Sequence, residues 1–119
     1  MIYFCDRSMA HKIPVALSLL GIDIEIHDNY FDEKTSDDEW LERCAKSNWI
    51  ALSFDRLRFL SGAAGRQAIV EHGAACFVFN VASKNAWGRL RLIAKVWDQL
   101  EAHSRDFPRP FLFQVNRDG

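Results

Sequence analysis

The run Trp49-Ile50-Ala51-Leu52-Ser53-Phe54-Asp55 decides the fold, because it is a short apolar stretch of β-formers that runs out at an acid. A continuous apolar run of this length fits a strand buried on both faces. Ile2-Tyr3-Phe4-Cys5 repeats the pattern and ends at Asp6. Cys76-Phe77-Val78-Phe79 makes another such run and is followed by Asn80, and Phe111-Leu112-Phe113 makes the last, behind the Pro108-Arg109-Pro110 turn. Ile22, Ile24 and Ile26 alternate with Asp23 and Glu25, the period-two pattern of a strand with one less buried face.

Helical patterns separate these strands. Ile13 to Leu20 reads as a helix stopped by Gly21, with Pro14 placed close to its start and Ser8 available to cap an earlier turn. Asp37 to Ser47 carries Trp40, Leu41 and Cys44 on one face. A helix near Gly65 to His72 is stopped by Gly73, and Ser83 is a good N-cap for the longest helix, roughly Lys84 to His103. The β-α-β-α-β-α-β-α-β order predicts a mostly parallel five-stranded sheet with helices on both faces, in one domain spanning residues 1–119. Right-handed crossovers then bring every strand's C-terminal end to one edge, where open α/β sheets bind ligands.

Composition sets limits on function. Of 119 residues, 49% are hydrophobic and 26% charged, a globular balance. The net charge of -1 excludes a global basic field, so any polyanion must meet a local patch. No apolar run approaches the roughly 20 residues of a membrane span. Cys5, Cys44 and Cys76 lie far apart in apolar stretches and read as buried free thiols, so a cytoplasmic protein is expected.

The predicted edge collects oxygen-bearing side chains. Asp6, Asp28 and Asp55 close strands one to three, and Asn80 and Ser83 follow strand four. Clustered carboxylates repel one another unless they hold a hard cation or share a proton, and Mg²⁺ suits such a set. A metal-activated water and a neutralised phosphoryl group are the elements of nuclease chemistry. Asp37 heads the buried stripe of its helix and ranks before Glu39 and Asp38, although a helix N-cap is its competing role. Arg7, Arg56 and Arg58 are placed to contact phosphates, with Lys12 and Arg66 nearby; ion pairs to the acids are the alternative. Tyr30 and Phe31 can stack a base or pin their loop to the core. Histidines 11, 27, 72 and 103 include no pair at metal-ligand spacing, and His27 reads as a packed histidine. There is no G-x-S-x-G, P-loop or Rossmann glycine pattern. Trp87 and Trp97 on a widely apolar helix suit a core, a homodimer surface or a partner groove.

Phe4-Cys5-Asp6-Arg7-Ser8-Met9, Ser36-Asp37-Asp38-Glu39-Trp40-Leu41 and Leu52-Ser53-Phe54-Asp55-Arg56 together resemble the PIN-like domains grouped with VapC-type toxins. The Ala75 to Asn80 strand and the Trp-containing last helix extend the likeness over nearly the whole chain. The resemblance implies a three-layer α/β/α sandwich and Mg²⁺- or Mn²⁺-dependent cleavage of RNA, often with an antitoxin partner. It implies Asp6, Asp37 and Asp55 as catalytic metal-binding acids, Glu39 as an addition and Asp28 as an accessory. The chain departs from the pattern at Arg7, Ser8 and Pro14, and offers Asn80 and Ser83 where many such nucleases carry a fourth acid. Two rivals stand beside this reading. One is a non-catalytic interaction module. The other is a phospho-accepting receiver centred on Asp55, which lacks the paired acids after strand one and a lysine in the last strand.

Overall fold

The computed structural model describes residues 1–55, 63–81 and 85–116. Five strands, β1 (Tyr3–Cys5), β2 (Ile24–Ile26), β3 (Ile50–Ser53), β4 (Ala75–Asn80) and β5 (Phe111–Asn116), form one sheet in the order β2-β1-β3-β4-β5. Every adjacent pair is parallel, so the expected mostly parallel sheet is wholly so. Four helices alternate with the strands: α1 (Lys12–Leu19), α2 (Asp37–Lys46), α3 (Ala63–His72) and α4 (Ala86–Asp106).

Strand alternation divides the core in two. Tyr3 and Cys5, Ile50 and Leu52, and Phe77 and Phe79 face one side, where Met9, Ile13 and Leu17 meet Leu92, Ile93, Val96 and Leu100. Phe4, Ala51, Cys76 and Val78 face the other, against Trp40, Leu41 and Cys44 of α2 and Ala68 and Ile69 of α3. The result is a three-layer α/β/α sandwich. Phe4 is the keystone of the second layer, stacked on Trp49 at 5.7 Å and on Trp40 at 5.5 Å between centroids. The three cysteines are buried and free, and burial raises their thiol pKa values.

Local chemistry places the element ends. Gly21 and Gly73 sit at φ +96° and +69° just after α1 and α3, where a side chain would be strained. The α1 helix starts at Lys12, so Pro14 falls within its first turn, where its missing N–H costs no helix hydrogen bond. Asp6, not Ser8, caps the short 3-10 turn Arg7–Met9. Asn85, not Ser83, caps α4 by accepting the Gly88 N–H at 2.8 Å; Ser83 itself lies outside the described residues. β5 runs past the expected Phe113 to Asn116 because its register with β4 continues to the Asn80–Asn116 pair. Arg109 ties this last segment to the start of β3, donating to the Trp49 and Asn48 carbonyls at 3.0 and 3.2 Å. No helix among the described residues is long and apolar enough to cross a membrane.

Candidate functional site

The chain runs from β1 outward to β2, then reverses across β1 to β3. The two strands at that switch point diverge in their connections and leave a crevice at their C-terminal ends. Cys5 pairs with Leu52, so Asp6 and Ser53 emerge side by side, and the Asp6 N–H donates to the Leu52 carbonyl at 3.1 Å.

Asp6 is only 2% exposed, and its carboxylate is held from both sides. Oδ1 accepts the Ser8 N–H at 3.0 Å and the Ser8 hydroxyl; Oδ2 accepts the Ser53 hydroxyl at 2.6 Å. The same hydroxyls accept in turn: Ser8 Oγ takes the Phe54 N–H at 2.8 Å and Ser53 Oγ takes the Asp55 N–H at 2.9 Å. Each hydroxyl has one proton, already directed at Asp6, so their mutual approach of 3.2 Å adds contact rather than a further bond. The closed ring Asp6-Ser8-Ser53 therefore fixes the end of β1 against the end of β3. Burial raises the Asp6 carboxyl to about 6, the hydroxyl bonds oppose that shift, and the charge of Asp55 adds to it.

Asp37 arrives from the other side of the crevice. Ser36 is the N-cap of α2 and accepts the Glu39 N–H at 3.2 Å, so the capping role weighed for Asp37 belongs to its neighbour. Asp37 is the first helical residue, and its Oδ1 accepts the indole N–H of buried Trp40 at 2.9 Å. That bond orients the carboxylate from the core outward. Asp6, Asp37 and Asp55 thus line a single cleft of about 580 Å³, from three different parts of the chain. They are not among the described donor groups whose ligand atoms all lie within 4.8 Å of one another, so they surround a space rather than touch one point. An all-oxygen donor set of this spread fits a hard cation such as Mg²⁺ or Mn²⁺, which keeps several waters and is held through few direct carboxylates.

Other expected residues fall in different places. Glu39 is exposed, lies outside the cleft lining, and accepts the Ser36 hydroxyl at 3.5 Å. Asp28 also lies outside the lining; it joins Arg7 at 3.5 Å, His11 at 3.5 Å and the buried His27 at 3.1 Å. Arg7 lines the cleft, half-exposed, and pairs with Glu33 at 3.6 Å as well. Asn80 stands at the end of β4 and donates to Asn116 at 3.3 Å. Arg56, Arg58 and Ser83 lie outside the described residues. Phe31 packs on Phe4 and His27, and Tyr30 packs on Trp49 beneath Arg43, so the aromatic loop is pinned to the core. Trp97 belongs to the core against Tyr3, whereas Trp87 is 68% exposed.

The model of the PIN like domain matches residues 1–81, which include β1 through β4 and all three cleft acids. The chain belongs to the PIN-like domain family. No curated protein and no solved structure matches it significantly. PIN-like domains are commonly nucleases, and the cleft acids of this PIN-like domain stand at the crevice where open α/β sheets bind ligands.

The sequence reading missed Ser53 and the full part played by Ser8. A signal existed: Asp6-x-Ser8 and Ser53-x-Asp55 are mirror-image spacings, each placing a hydroxyl two residues from an acid at a strand end. It also missed Glu33, which pairs with Arg7 at the mouth of the cleft.

Proposed function

We propose that this PIN-like domain is a Mg²⁺- or Mn²⁺-dependent endoribonuclease of the VapC type, the toxin of a toxin–antitoxin pair. The observation that carries the reading is the convergence of Asp6, Asp37 and Asp55 on one cleft at the topological switch point. A bound hard cation supplies an activated water and offsets charge on the scissile phosphate. The chain's own groups prepare that chemistry. Ser8 and Ser53 fix both oxygens of Asp6 in one orientation and keep it ionised near neutrality, against the pull of burial. Trp40 holds Asp37 in a single direction. Arg7, whose partners stand at 3.5 and 3.6 Å, has weak pairs to exchange for shorter charge-assisted bonds to an RNA phosphate. Arg56 and Arg58, which follow Asp55 in the sequence, extend that phosphate-binding role in the proposal. Trp87 offers an apolar anchor for the antitoxin.

A second reading is a PIN-like interaction module without catalysis, favoured because the three carboxylates are not among the described groups whose ligand atoms all come within 4.8 Å of one another. One experiment separates the two. The purified chain is incubated with structured and unstructured RNAs, with EDTA, Mg²⁺ or Mn²⁺, beside Asp6→Asn and Asp55→Asn variants. Cleavage that requires metal and disappears in both variants is the expected result. Cleavage that ignores EDTA or survives both substitutions rules out the metal-dependent acid site, and no cleavage under any of these conditions favours the interaction module.

A further inference from the structure

Away from the cleft, three donors from two helices converge. Asp38 and Glu42 stand one turn apart on α2, so helical geometry stacks their carboxylates on one face. His72, the last residue of α3, turns toward them; its side chain is 21% exposed, and Nε2 lies 2.9 Å from Asp38 Oδ1. One ligand atom from each of the three lies within 4.8 Å of the other two. Asp37, one residue earlier, is held by Trp40 toward the cleft, so adjacent acids serve different faces of the helix.

We propose that Asp38, Glu42 and His72 form a second metal site, separate from the acid cleft, for a borderline divalent cation of the Zn²⁺ class. The donor set decides the class. Two carboxylates and an imidazole suit Zn²⁺ or Ni²⁺, whereas oxygen-only sets suit Mg²⁺ and Mn²⁺. Three protein donors leave a position for water, as in open zinc sites. Two of the donors are fixed by helix pitch, and the third sits on a helix packed against the same core, through Ala68, Ile69, Leu41 and Cys44. The site therefore needs small side-chain adjustments rather than folding of a loop. A cation there ties α2, whose first turn carries Asp37, to α3.

Lys46 opposes it. Its ammonium lies 2.6 Å from Glu42 Oε1 and competes for the same carboxylate. This gives the site a signature that a merely structural trio lacks: removing the lysine charge tightens metal binding.

The test is calorimetric titration of the full chain with ZnCl₂ in excess Mg²⁺, for wild type, His72→Ala, His72→Gln, Lys46→Ala and Asp6→Asn. One Zn²⁺ per chain is expected for wild type. Both His72 variants lose at least about tenfold in affinity, the lower end of the loss caused by removing even an outer-shell partner of a metal ligand. Lys46→Ala binds several-fold tighter, and Asp6→Asn binds as wild type does. No Zn²⁺ uptake by wild type, equal uptake by folded His72→Gln, or a loss confined to Asp6→Asn each overturns the proposal. The last of these assigns the metal to the cleft.

Discussion

Replacing Asp6 by an asparagine is expected to stabilise the metal-free protein at neutral pH while abolishing the metal response. In the folded chain the Asp6 carboxyl titrates at about 6, against an ordinary value of 3.8, mainly because it is buried. A folded-state pKa raised above the unfolded one means that the native state binds the proton more tightly. The stabilisation is complete below the unfolded value and is lost as pH rises through the folded one. A shift of about two units corresponds to about 3 kcal/mol lost between roughly pH 4 and 7. The amide introduced by Asp6→Asn carries no charge to desolvate. Its oxygen can still accept the Ser8 N–H, but its NH₂ group cannot accept the Ser53 hydroxyl. Losing that 2.6 Å bond costs about 1 kcal/mol, which leaves a net gain of about 2 kcal/mol above pH 7. For a chain of this size that is a rise in Tm of roughly 6–10 °C. The assay is thermal unfolding of both proteins in EDTA from pH 4 to 8. The gap should be small or reversed at pH 4, open between roughly pH 4 and 7, and stay level above. Adding Mg²⁺ should raise Tm for wild type alone, since a ligand confined to the native state stabilises it. A gap that is flat across pH, or an Asp6→Asn variant less stable than wild type at pH 8, refutes this account of Asp6.

Ser53→Ala removes the hydroxyl that opposes burial at Asp6 and leaves the Asp55 N–H without its acceptor. Unfolding titrations should show a loss of roughly 1–3 kcal/mol, and the acid limb of the pH–rate profile should move to higher pH. Asp37→Asn keeps an oxygen for the Trp40 indole, so Tm should change little while metal-dependent cleavage falls at least about a hundredfold; retained cleavage excludes Asp37 from the site. Trp40→Ala opens the layer between Phe4 and α2 and should cost about 3–5 kcal/mol in denaturant unfolding. Arg7→Ala should leave stability nearly unchanged, because its pairs are half-exposed, but should weaken RNA binding and reduce its salt dependence in a filter assay.

The strand-end acids were legible because a buried strand announces itself by an unbroken apolar run, and the acid that follows marks where burial stops. For Asp6 and Asp55 this, with the helix phase of Asp37, was enough to anticipate a shared cleft. Fine positions at helix starts were less legible, since several adjacent residues can cap. Ser36 caps α2 by accepting the Glu39 N–H, a Ser-x-x-Glu spacing that stood in the sequence, and it leaves Asp37 to face the cleft. At α4 the choice between Ser83 and Asn85 depends on backbone angles, which no residue type dictates. The extent of β5 depended on its partner, since Gln114 and Asn116 are paired through the register with β4 rather than by their own propensity. The serine ring around Asp6 was the least accessible, because Ser8 and Ser53 meet only through the pairing of Cys5 with Leu52.

The family match stops at residue 81, one residue beyond β4, whereas the chain continues through α4 and β5. A fragment cut at that boundary would be an aggregation hazard rather than a minimal domain. It would strip Leu92, Ile93, Val96, Leu100 and Phe111 from one face of the sheet and open the backbone of β4, whose burial pattern is unbroken up to Asn80. An apolar strand with unpaired N–H and C=O groups recruits other chains by the same ladder that β5 now completes. The segment after the matched span therefore keeps β4, the more apolar strand, in the interior of the sheet. Loss of its Arg109 clamp would be felt at Trp49, and so along β3 to the cleft.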